Sequence, residues 1–109
     1  MINEKLLISL RQEINEQTAH MPWSELERFF ASGNLINVAP ELDLIDVGAR
    51  IAADDKISVQ EWMNANLLHR VSDTQAAEWF KHDALLWVAV VKPWILVQHD
   101  RKLPPAIAQ

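Results

Sequence analysis

The chain contains no cysteine, so disulfide staples, thiolate metal sites and thiol nucleophiles are all closed to it. Glycine is nearly as scarce. The two present, Gly33 and Gly48, stand alone, and neither a phosphate-cradling loop nor a dinucleotide-binding turn can be built around them in the usual way. Basic charge is in deficit, with ten Lys and Arg against fifteen Asp and Glu and a formal charge of -5. The average field therefore repels phosphate backbones and anionic lipid, and neither nucleic acid nor a membrane surface is an expected partner. Long apolar runs are missing too. The most apolar stretch, Ala84 to Val97, is interrupted by Lys92-Pro93 and falls short of the ~20 residues that a membrane helix needs. The N-terminus reaches Arg11-Gln12-Glu13 too soon for a signal-peptide core. These absences together predict a soluble, cytoplasmic protein.

What is present reads as one small globular domain. Half of the 109 residues are hydrophobic and 23% are charged, a balance far from that of disordered chains. Residues 1–98 are expected to form the domain, and 99–109, with Pro104-Pro105 and no periodicity, a loose tail. Leu7, Leu10 and Ile14 follow one helical face over 3–18. Ser24 to Glu27 and Ser58 to Glu61 have the spacing of capping boxes, the second with Ile57 and Trp62 placed as a hydrophobic staple. Gly33 suits a left-handed helix end. Asp43 and Ser72 are placed to cap two further helices.

Leu35 to Ala39 and Leu67 to Val71 read as short strands. Leu85 to Val91 and Trp94 to Gln98 are apolar at nearly every position, as in strands covered on both faces, with a buried helix over 84–92 as the competing reading. Lys92-Pro93 is poor chemistry for a two-residue hairpin with positive φ, so a bend, bulge or edge is expected there. The predicted class is α+β: about five helices on a small mixed sheet of three to four strands. Residues 24–54 and 58–83 share one order, which leaves open a duplicated helix-strand-helix unit supported by the pairs Ser24 with Ser58, Glu27 with Glu61 and Asn34 with Asn66.

Three segments are distinctive in combination: Pro22-Trp23-Ser24-Glu25-Leu26; Glu41-Leu42-Asp43-Leu44 with Ala53-Asp54-Asp55; and Leu86 to Val91 followed by Pro93-Trp94-Ile95-Leu96-Val97-Gln98. The sequence resembles the domain-of-unknown-function 2288 family over roughly residues 5 to 98. The resemblance implies a small bacterial, cytoplasmic, single-domain protein. It carries over no catalytic or binding residue.

A search for chemistry leaves a short list. Serines 24, 58 and 72 have capping work, and histidines 20, 69, 82 and 99 lie far apart without metal-ligand spacing, so no catalytic constellation, metal site or cofactor is expected. Asp54 and Asp55 are placed at a helix C-terminus, where the dipole opposes them. The plain explanation is an Arg50–Asp54 pair one turn apart; the functional one is an acidic corner for a cation or partner, matched by Asp83. His69 and Arg70 share a strand, so alternation sends one to each face, as edge residues or as part of an anion site. Gly48 on an apolar helix face implies close packing on a strand. Trp62 and Trp79 fit helix core faces, whereas Trp23, Trp87 and Trp94 fall where some exposure is easier and a self-association or partner patch is reasonable, although core packing is the better expectation for any single one. The favoured reading is a non-catalytic binding or assembly module, as a homo-oligomer or accessory subunit. The alternative is a small-molecule or cation-binding protein, or an enzyme, that uses Asp54 and Asp55 with His69 or Arg70.

Overall fold

The computed structural model describes residues 3–99. Helix α1 (Glu4–Gln17) is capped by Asn3, whose side chain accepts from the Lys5 and Leu6 amides. Strand β1 (Ala19–Pro22), a 3-10 turn (Trp23–Glu25) and helix α2 (Glu27–Ala31) follow, then β2 (Leu35–Val38) and α3 (Leu44–Ala52). The rest of the chain is α4 (Lys56–Asn64), β3 (Leu68–Arg70), α5 (Asp73–His82), β4 (Leu85–Val91) and β5 (Trp94–Gln98). The five strands make one sheet in the order β1-β4-β5-β2-β3. β2 pairs parallel with β5 and every other pairing is antiparallel. The class is α+β with five helices, and the sheet has one strand more than the upper end of the predicted range. The extra strand is β1, a proline-ended edge segment with no alternation to betray it.

Alternation along the central strands builds two cores. Ala89, Val91 and Leu96 join Leu7 and Ile14 of α1 and Leu44 and Val47 of α3 on one face. Leu86, Val88 and Val97 join Trp23, Leu26, Ala76 and Trp79 on the other. Helices α1, α3 and α4 thus cover one face, and α2 and α5 cover the other. The central strands are apolar at nearly every position because both of their faces are buried. The alternative of a helix over 84–92 does not form.

Lys92 and Pro93 do form a two-residue connection, correcting the expected bend or bulge. Val91 pairs directly with Trp94, and the Lys92–Pro93 peptide is cis, a turn that needs no positive φ. Two capping boxes are also corrected. Asp55, three residues before Ser58, takes the cap of α4 by accepting from the Ser58 amide. Ile57 is therefore inside the helix and exposed, not stapled to Trp62. The Ser24 amide instead donates to Asp83 Oδ1 across 2.8 Å, and α2 starts without a side-chain cap. Asp43 and Ser72 cap α3 and α5 as expected. The helix-strand-helix order occurs twice, as α2-β2-α3 and α4-β3-α5, but Ser24 and Ser58 do different work in the two passages. Asn66 matches Gly33 as the left-handed residue after its helix, not Asn34. The predicted tail lies outside the described residues except for His99.

Gly48 explains itself by space. A Cβ there would lie 3.3 Å from the Ile14 side chain and 3.4 Å from that of Val91, so α3 approaches both α1 and β4 closely. Gly48→Val is expected to overpack this contact and cost about 2 kcal/mol. A fall in the urea midpoint reads this out, and an unchanged midpoint would refute the tight packing.

Candidate functional site

The Asp54-Asp55 pair is a corner between two helices, not the ragged end of one. The Asp54 amide donates to the Ile51 carbonyl and the Asp55 amide to the Arg50 carbonyl, the paired bonds of a Schellman stop. Asp54 takes the left-handed position with φ 60°, a conformation that Asp tolerates better than most residues. Asp55 then starts α4 as its N-cap, where the helix dipole favours a carboxylate, so for this residue the conflict with the α3 dipole is offset. The expected Arg50–Asp54 pair is replaced. Arg50 donates to Asp55 Oδ2 at 2.8 Å and also pairs with Asp46, which in turn holds Arg11 of α1. The exposed Asp54 carboxylate lies 3.9 Å from Lys56 Nζ.

Asp55 is 8% exposed. Hydrogen bonding from Ser58 and then from Arg50 holds its carboxyl below the usual carboxylate range, against the upward push of burial. The same contact with Asp55 raises the Arg50 guanidinium above its ordinary value.

Above this corner α4 packs shallowly against the β3 side of the sheet. None of its side chains is buried, whereas α3 buries five residues. Val59, Trp62 and Met63 share one face of α4 and Ile57 points away from it; Val59 and Trp62 pack against the core while Met63 stays exposed, so the face is only partly seated. The space left is a cleft of about 350 Å³ between α4, the α3–α4 corner and the β3 edge of the sheet. Ile36, Ile51, Val59, Met63, Leu68 and Trp94 make apolar walls, and Asp54, Asp55, Lys56, His69 and Arg70 supply the polar lining.

Five residues singled out from sequence, Asp54, Asp55, His69, Arg70 and Trp94, thus meet at one place. Arg70 pairs across the sheet with Ile36 and rises on the same face as Leu68, its guanidinium carbon 5.9 Å from the centroid of the Trp94 ring. His69 starts from the opposite face by alternation. Its Nδ1 lies 3.0 Å from the Arg70 carbonyl. A carbonyl only accepts, so in this hydrogen bond Nδ1 carries the proton.

The other nominated residues lie elsewhere. Trp23 is 2% exposed inside the second core, which removes it from a surface patch: its ring packs against Phe30 and Trp79, and its amide donates to the Ala84 carbonyl. Trp87 is half-buried and stacks on His20 at 4.5 Å. Trp23, Trp87 and Trp94 therefore do not form one patch. Asp83 is bound to Ser24 and does not join the Asp54 corner. Lys56, Met63 and the aliphatic walls were missed from sequence. The short apolar stripe of Val59, Trp62 and Met63 on α4 was the available signal. Among the described residues no group of three or more His, Asp or Glu side chains is placed to hold a metal ion, and no helix is long and apolar enough to cross a membrane.

A five-stranded mixed sheet between two helical layers, with an apolar cleft at one edge, defines a small α+β domain. The chain belongs to the DUF2288 family of proteins of unknown function, whose model matches residues 9–99. Its fold is similar to the NMR solution structure of PA1075 from Pseudomonas aeruginosa, at 34% identity over 86% of this chain and 87% of that one, with a TM-score of 0.75. No curated protein matches the sequence.

Proposed function

We propose that this protein is a non-catalytic binding module that takes a small organic molecule into the cleft beneath α4. One observation carries the reading: an aliphatic and aromatic recess of about 350 Å³ with a few charged groups at its rim, which is the usual make-up of a small-molecule site. The assembly form of the binding reading has less support, because the tryptophans that suggested a common surface are dispersed between a core, a histidine stack and the cleft.

A fragment screen by amide chemical shifts tests the proposal. Weakly binding neutral and charged aromatic fragments are expected to perturb Ile36, Ile51 and Leu68 together. Val59→Trp, which places a large ring into the cleft from α4, is expected to abolish those shifts while leaving the rest of the spectrum folded. Shifts that cluster elsewhere, or that survive Val59→Trp, would refute a ligand site in the cleft.

A further inference from the structure

Resting on that reading of the cleft, we propose that its ligand is an organic monocarboxylate, with an apolar body against Trp94 and its carboxylate on the Arg70 guanidinium. Charge pairing makes the case. Asp55 is neutralised by Arg50, which belongs to an alternating chain Arg11–Asp46–Arg50–Asp55 with two charges of each sign. Asp54 faces Lys56. Neither carboxylate of the corner is left to attract a cation, and the N-terminus of α4 is already occupied by the Asp55 cap. Arg70 is the charge at the cleft that has no carboxylate partner among the described residues.

Arg70 is also suited to the task. Its guanidinium lies over the Trp94 ring, a contact that limits the conformations of a long side chain before any ligand arrives. A planar fork of donors then matches a carboxylate in two parallel hydrogen bonds. A second negative charge on the ligand would find no free partner, because Lys56, the other cation lining the cleft, already faces Asp54. The overall negative charge does not forbid the contact, since surface charges beyond about 8 Å are largely screened at physiological salt.

The test compares 3-phenylpropionate with its uncharged counterpart 3-phenylpropanol, each titrated at millimolar concentration into the wild-type protein and Arg70→Gln and followed by amide shifts. The carboxylate is expected to bind the cleft about tenfold more tightly than the alcohol, the increment of one charge-assisted hydrogen-bonded pair. Arg70→Gln is expected to remove that advantage and to leave the alcohol unchanged. If both probes bind the cleft equally in the wild type, or if Arg70→Gln preserves the preference, the anion inference fails and the ligand site stands. If neither probe shifts the cleft residues, both readings fail.

Discussion

Trp23→Ala is expected to destabilise the domain by about 4 kcal/mol, the scale of removing a large buried aromatic ring. Trp23 is almost fully enclosed and touches elements from both ends of the second core: Phe30 of α2 at 5.7 Å and Trp79 of α5 at 5.8 Å between ring centroids. Its removal would leave a cavity that two other rings cannot both collapse into. Small domains have only about 5–15 kcal/mol of net stability, so the alanine variant risks partial unfolding. Trp23→Phe supplies a milder reading, expected at about 2 kcal/mol. Urea denaturation measures both. If stability held and only the sedimentation behaviour changed, Trp23 would be an interface residue after all.

Asp55→Ala is the second large effect, expected to cost about 2 kcal/mol because it removes a helix cap and a charge-assisted bond from Arg50 together. Asp55→Asn retains an acceptor for the Ser58 amide and should cost about half as much. The two differ in their dependence on pH. The carboxyl of Asp55 is held below its ordinary range in the folded state, so the unfolded chain takes up the proton first as acid is added. The stabilisation from the ionised carboxylate is fully present above the unfolded value of about 4 and is lost as pH falls through the lower folded value. The gap between wild type and Asp55→Asn is therefore expected to narrow below about pH 4. A gap independent of pH in chemical denaturation would show that ionisation of Asp55 contributes nothing.

Much of the fold was legible where one physical requirement dominated a segment. Leu85 to Val91 and Trp94 to Gln98 could only be so uniformly apolar if both faces were covered, and they are the two central strands. Asp43 and Ser72 were readable as caps because no rival acceptor precedes them at the right spacing. Ser58 was misread because Asp55 has a prior claim on its amide, and Ser24 because its partner is 59 residues away. Strand β1 was invisible for a related reason. Ala19-His20-Met21-Pro22 has no period of its own and is a strand because β4 offers it an edge.

The candidate site shows the same division. Asp54, Asp55, His69, Arg70 and Trp94 each broke a local rule or sat in an ambiguous context, which is why they could be picked out singly. Their convergence depends on the parallel pairing of β2 with β5, which sets Trp94 of β5 across from Arg70 of β3 with β2 between them. No local pattern encodes that pairing. The void beneath α4 is likewise a property of how two layers fail to meet.

The position of the β4–β5 pair bears on how the chain can be assembled. These strands lie between β1 on one side and β2 with β3 on the other, so β1 has no strand to pair with until residues 85–91 are present. Pairings such as Leu35 with Ile95 close loops of some sixty residues, and such distant closures slow folding relative to local ones. The β2–β3 pair can form without β4 and β5, but both cores draw residues from those two strands and cannot be completed until they are in place.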